Sequence, residues 1–339
     1  MDQTEALIIE TIDRHREEIL EFARDIYSHA ELGYKEFQTS GKFVKKMEQL
    51  GLRTEKGFAI TGVKAYLNED KKENASLALL GELDALRIPE HAFANPETNA
   101  AHCCGHHAQM AGVFGAALAL TVPEIAEKLD GQVVFFATPA EEYGEIEFKN
   151  QLREQGKIRY GGGKCELLRI GAFDDIDLCL THHIRPGNEI LVGSGTGNGF
   201  VSKVIRVLGK ASHAAGAPEK GVNALSAASL GLQALGLNRE TFRDEDCVRV
   251  HPIITKGGNL VNVIPDEVVV ETLVRGKTIE AFTDAAKKTD RSFKAGAIAM
   301  GAKVEISTLP GYLPTLAEEA LPELKHAAEI SASGIPVIE

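Results

Sequence analysis

The chain has 339 residues and a mass of 36.5 kDa, more than one ordinary hydrophobic core serves, so two domains are expected. Its apolar (44%) and charged (25%) fractions fit a soluble globular protein and exclude a disordered or fibrous one. With 37 basic against 49 acidic residues the net charge is −12, and no basic cluster interrupts it, which argues against nucleic acid or an anionic membrane surface as partner.

Residues 4–28 carry Ile8, Ile12, Ile19, Phe22 and Ile26 at helical spacing, which predicts a surface helix. The same opening has no basic n-region or apolar h-region, and no later run reaches the length that spans a bilayer, so a cytoplasmic protein is expected. Its five cysteines are then expected as thiols, because Cys103 and Cys104 are vicinal and a vicinal disulfide is strained. The runs SLALLGELDAL (76–86), GQVVFFATPAEE (131–142) and DIDLCLTHHI (175–184) predict strands buried on both faces, as in a parallel sheet between helices. Between the first two, HAQMAGVFGAALAL (107–120) predicts a closely packed helix, and strand, helix, strand in succession predicts an α/β fold. Each run keeps its polar residues at its C-terminal end, the edge at which open α/β sheets bind ligands.

At GSGTGNGF (193–200) the texture changes to a Gly-rich hinge or linker. The alternating VSKVIRVLG, a helical pattern over 221–237, HPIITKGG, VNVIPDEVVVETLVRG, a second helical pattern over 278–300 and KVEISTLPGY then predict a smaller α+β domain. The expected division is a catalytic domain over 1–195, an inserted domain over 196–309 and a return to the first domain over 310–339, with a helix at 315–330.

The stretch AHCCGHHAQMAG (101–112) leaves three readings open: a metal site, a redox pair, or a crowded loop before a helix. A thiol redox site is the weakest, since there is no CxxC spacing. As metal ligands, Cys104 and His106 flank a tight glycine turn, Glu141 and Glu142 end a second strand, and His182 or His183 ends a third. Thiolate, imidazole and carboxylate are the donor set of zinc and similar metals. Adjacent glutamates allow one to bind the ion while the other serves as general base. Cys165, Cys179 and Cys247 stand alone in apolar stretches and are read as core residues, with Cys103 as packing.

Seven segments together carry a family resemblance: SHAELGYKEFQTS (28–40), GELDALRIPE (81–90), HCCGHH (102–107), ATPAEE (137–142), THHIRP (181–186), GKASHAAGAPEKGVNAL (209–225) and KGGNLVNVIPDEVVVETLVR (256–275). In this order they resemble the metal-dependent amidohydrolases of the aminoacylase and carboxypeptidase-G superfamily, peptidase family M20, near the hippurate hydrolase and N-acyl-amino-acid amidohydrolase branch. The resemblance implies a mostly parallel-sheet catalytic domain, hydrolase-like, with an inserted α+β dimerisation domain. It implies Cys104, His106, Glu142 and His183 as metal ligands, with His182 as the fallback for the last, and Glu141 as general base. His213, from the dimerisation domain, would polarise the scissile carbonyl in the partner's site, while Asn262 and Arg275 match substrate-carboxylate contacts. The implied reaction is metal-dependent hydrolysis of an N-acyl amino acid or a dipeptide-like substrate by a homodimer using zinc or manganese.

The chain also departs from that pattern. His107 stands where the branch carries Asp, Gln109 where it carries a further His, and Glu82 where it often has Asp, the last expected to make no direct contact with an ion. The family's further histidine ligand, from a glycine-rich segment, has no counterpart, since the one later histidine, His326, sits in a helix-like stretch. A chain shortened at its C-terminal end is therefore expected, holding one metal or none where the family holds two, with little or no hydrolase activity. A non-catalytic dimer that keeps the cleft as a binding module is the alternative reading.

Overall fold

The computed structural model describes residues 1–317, 319–332 and 334–338. The expected helix over 4–28 is two helices, α1 (Gln3–Arg14) and α2 (Arg16–Ser28), parted at His15. Asp2 caps α1 by accepting from the backbone N–H groups of Thr4 and Glu5 at 2.7 and 2.8 Å. Helix α3 (Phe37–Gln49) follows, then the hairpin β1 (Arg53–Phe58) and β2 (Gly62–Leu67), then β3 (Ser76–Glu82), α4 (His106–Leu120) and β4 (Gln132–Thr138). Next come α5 (Ile146–Glu154), α6 (Gly163–Arg169) and β5 (Leu178–Thr181).

Strands β1 to β5 form a sheet ordered β1-β2-β4-β3-β5. β3 pairs parallel with both β4 and β5, while β1 with β2 and β2 with β4 are antiparallel. The sheet is mixed rather than mostly parallel, because the 53–67 hairpin was not anticipated and adds two antiparallel strands beside β4. The expectation that all three apolar runs are doubly buried holds for β3 and β4, whereas Leu178, Cys179 and Thr181 of β5 are exposed. β5 pairs through β3 alone and lies at the sheet edge, so much of its apolar surface goes uncovered. The core of this part packs α2, α3 and α4 on the sheet through Phe22, Phe43, Met110, Phe114 and Phe135.

The second fold begins with β6 (Gly199–Leu208), continues through α7 (Ala224–Asn238), β7 (Arg249–Lys256), β8 (Glu267–Gly276), α8 (Ile279–Ala299) and β9 (Lys303–Pro310), and α9 (Pro322–Ser331) follows it in the chain. β6 to β9 form an antiparallel sheet ordered β7-β8-β6-β9, with α7 and α8 packed on it through Val207, Ala228, Val270 and Phe293.

By their contacts the residues divide into two units, one of 1–144, 157–192 and 320–339, the other of 145–156 and 193–319. Segments 145–156 and 310–319 thus pack with the second unit, although the sequence division gives them to the catalytic domain. In that unit the α5 residue Glu147 pairs with Arg206 of β6, and Arg153 donates to the Thr308 carbonyl of β9 at 2.8 Å. Among the described residues no helix is long and apolar enough to cross a membrane.

Candidate metal centre

The three parallel strands of the first unit end side by side: Glu82 of β3 pairs in register with Thr138 of β4, and Leu80 with Thr181 of β5. The chain beyond each end therefore opens on one edge, with Leu83 and Asp84 after β3, Pro139 to Glu142 after β4, and His182 and His183 after β5. Helix α4 starts at the same edge. Its N-cap is Gly105 at φ +85°, a left-handed backbone that glycine adopts without strain, and this sets Cys104 and His106 on either side of the turn.

Asp84, fully buried, organises the edge. Its two carboxylate oxygens accept from the backbone N–H groups of Glu141 (3.1 Å) and Glu142 (2.8 Å), and its carbonyl lies 2.8 Å from His106 Nδ1. Glu36 adds a second hold on the turn after β4, accepting from the Ala140 N–H at 2.8 Å and the Thr61 hydroxyl at 2.6 Å. With Nδ1 donating to Asp84, His106 has Nε2 left as its ligating atom.

His106 belongs to two sets of converging donors. In one, the ligand atoms of Cys104, His106 and His183 lie within 4.8 Å of one another, Cys104 Sγ standing 3.3 Å from His183 Nε2. In the other, His106 Nε2 lies 2.9 Å from Glu82 Oε2 and 3.9 Å from Glu141 Oε2. One lone pair holds one ion, so through His106 the two sets are alternatives. The sulfur and nitrogen set suits zinc or a similar borderline ion, while the oxygen-rich set is harder. Glu82 Oε2 and His106 Nε2 are buried, and despite their closeness neither has the alignment of a hydrogen bond with a described residue. Buried polar atoms in that condition fit ligands of a cation.

The electrostatics agree. Burial opposes charge on His106, but the carboxylates of Asp84 and Glu82 outweigh it and push the imidazole up to about 11. Burial would raise Glu82, yet His106 and Lys164 hold it down at about 2. Burial, with Glu82 nearby, pushes Glu141 up to about 7, and burial beside Glu142 pushes the Cys104 thiol up to about 12.

The remaining expected residues fall as follows. Glu142 lies beside Cys104, but among the described residues it joins neither set of converging ligand atoms. The His182 ring lies against Gly112 of α4, where an added Cβ would stand 2.7 Å from its Cε1 and Nε2 atoms. His107 is in neither set; its ring packs at a tilt, its centroid 4.8 Å from that of Tyr27 and 5.4 Å from that of buried His102. His326 pairs with Glu5 at 2.8 Å on the surface. In the second unit, His213 Nδ1 accepts from the backbone N–H groups of Ala215 and Gly216 at 3.2 and 2.9 Å, so its exposed Nε2 carries the hydrogen. Asn262 accepts through its carbonyl from the Ala214 N–H at 2.9 Å, and the Arg275 guanidinium lies 5.2 Å over the Phe200 ring.

The expectations for Glu82 and for four of the cysteines need correction. Glu82, taken as remote from any ion, is within 2.9 Å of the ligating nitrogen of His106. Cys179 and Cys247 are exposed rather than core, because they lie on the edge strand β5 and in a turn before β7, and Cys165 is half-buried at the start of the short helix α6. Cys103 is exposed as well. Lys164 was missed altogether: its ammonium pairs with Glu82 at the centre of the site. The sole sequence signal for it is a cation one residue past a glycine run, which reads as loop.

Gln109 is the other surprise. From inside α4 it accepts from the Glu82 N–H at 2.7 Å and donates to Thr181 Oγ1 at 3.1 Å and to the His182 carbonyl at 2.6 Å, tying the ends of β3 and β5. Gln109→Leu leaves buried partners unsatisfied and is expected to cost about 2–4 kcal/mol in urea unfolding. A loss below about 1 kcal/mol would show that this bridge does not hold the strand ends.

Residues 197–298 match the model of the peptidase dimerisation domain of M20 proteins. Over its backbone the chain is similar to the Bacillus subtilis YXEP protein, described as a dinuclear metal-binding peptidase from the M20 family (TM-score 0.58, 22% identity, 96% of this chain and 82% of that one). The chain has the M20 peptidase fold. A second structural neighbour is an aminobenzoyl-glutamate utilization protein from Klebsiella pneumoniae, with TM-score 0.73, 19% identity, and 97% of this chain and 83% of that one covered. Among curated relatives, the Xaa-Arg dipeptidase of Mus musculus is 29% identical over 88% of this chain and 64% of its own length. The N-acetyl-L-cysteine deacetylase of Bacillus subtilis is 28% identical over 76% of this chain and 59% of its own. The chain thus spans less than two thirds of either relative. Within the M20 fold, the second unit is the part that contains the dimerisation-domain match.

Proposed function

We propose that the chain is a metal-dependent hydrolase that cleaves the amide bond of N-acyl amino acids or dipeptide-like substrates, and that it works as a homodimer. The observation that carries this reading is the convergence of Cys104 and His106, at the start of α4, with His183 after β5 on one sheet edge, and the Glu141 carboxyl raised to about 7 beside them. The names of the relatives, a dipeptidase and a deacetylase, support the bond type.

Cys104, His106, Glu142 and His183 would hold a divalent ion, zinc or manganese, whose Lewis acidity lowers the pKa of water and polarises a carbonyl. Glu141 takes the proton from the attacking water and returns it to the leaving nitrogen, a task suited to a carboxyl near neutrality. Asp84 keeps that base in place through two backbone N–H groups and fixes the tautomer of His106. His213, with its hydrogen on Nε2, is assigned to the carbonyl oxygen of the substrate in the partner's site, as a hydrogen-bond donor to a developing oxyanion. Asn262 and Arg275 are assigned to the substrate carboxylate, for which a planar guanidinium is well shaped.

The test is release of free amino acid from a panel of N-acetyl, N-benzoyl and dipeptide substrates with added zinc, manganese or cobalt. Hydrolysis that chelator abolishes and metal restores is the expected result. No release with any metal or substrate would sink the reading and leave a dimeric binding protein in its place.

A further inference from the structure

We propose that Lys164 stands in for a second divalent ion, so that the centre holds one ion per chain. The proposal rests on the reading of this edge as a metal centre and adds to it how many ions the residues can take.

The argument begins with how Lys164 is placed. Helix α6 starts against the turn after β4: the Gly163 N–H donates to the Ala140 carbonyl at 2.9 Å, and a Cβ added to Gly163 would lie 1.7 Å from the Pro139 carbonyl oxygen. Any other residue at 163 would push the helix away, so this glycine brings the next side chain to the carboxylate cluster. The Lys164 ammonium pairs with Glu82 Oε1, and its charge acts on Glu141 and Asp84 as well.

The donor sets then decide the count. Among the described residues, two groups of converging ligand atoms exist, and both include His106, whose Nδ1 is taken by the Asp84 carbonyl, so both turn on its Nε2. An ion held by Cys104, His106 and His183 uses that nitrogen. What is left of the other group is two carboxylates, Glu82 and Glu141, and the cation already beside them is the Lys164 ammonium. Its three N–H donors and compact charge serve two carboxylates well. A second divalent ion would have to enter without an imidazole and against the repulsion of that ammonium.

The experiment counts metal on the full chain rather than activity. Ion-free protein is titrated with cobalt(II), with bound metal measured by elemental analysis after gel filtration and thiolate-to-cobalt absorption followed in the near ultraviolet. Wild type is expected to take up one cobalt per chain, with the thiolate band complete at one equivalent. Lys164→Met, and Lys164→Gln as a second variant that keeps a hydrogen-bond donor, are expected to take up a second cobalt at least tenfold more tightly than wild type, without further thiolate absorption. Two ions of similar affinity in wild type, or no gain in either folded variant, overturns the assignment of Lys164 and leaves the hydrolase reading standing. If neither variant folds, the wild-type count decides: one ion supports the assignment and two overturn it. No bound ion in wild type removes the metal centre itself and with it both readings.

Discussion

Glu141→Gln is expected to lower kcat for amide hydrolysis by about 10²–10⁴-fold while leaving metal content and KM close to wild type. The substitution keeps the side-chain volume and the backbone N–H that Asp84 accepts, so the turn after β4 stays where it is. What it removes is a group that can take a proton and give it back. Glu141 suits that exchange because burial, with the charge of Glu82, brings its carboxyl up to about 7, while Lys164 keeps it from rising further. A variant that kept more than a tenth of wild-type kcat would move the general-base role to another group. A variant that lost its metal would make Glu141 a ligand instead.

The second large effect concerns the acidity of the medium in which an ion binds. In the ion-free site His106 is raised to about 11 and Cys104 to about 12, so near neutrality both carry a proton that a metal must displace. Both values lie above the working pH, so affinity rises with pH and stops rising once these groups are deprotonated. With two protons released per ion, the dissociation constant is expected to fall about 100-fold for each unit from pH 6.5 to 8.5. Calorimetric titration with zinc in buffers of different ionisation enthalpy reads the proton count directly. About two are expected in wild type and about one in Cys104→Ser. About one in wild type would exclude either the thiol or the imidazole as a ligand, and none would exclude both.

Much of this edge could be read from the residues alone because its logic is local. Apolar runs that end in polar residues mark strands and the side on which they open, and a glycine between Cys104 and His106 marks the turn that joins them. The longer-range parts left little trace. Lys164 reaches Glu82 across 82 positions, and Gln109 ties two strands that it does not neighbour in sequence. No periodicity or spacing encodes such contacts. The 53–67 hairpin escaped notice because its turn runs through Ala59 and Ile60 at positive φ, residues that carry none of the usual turn chemistry. β5 read as a core strand because its composition is apolar, yet exposure depends on how many neighbours a strand has, which composition does not record. The Cys179 error has the same origin.

The hold of Glu36 on the Ala140 N–H spans 104 residues of chain, and that of Asp84 on the next two N–H groups spans 57 and 58. These contacts close long loops, whose entropy has to be met before they return any stability. The helices and the hairpin can form from near neighbours, whereas the turn bearing the two glutamates takes its shape once three distant segments have met. In folding time the centre is therefore a late arrival, and a partly folded chain can have its secondary structure in place with no site at all.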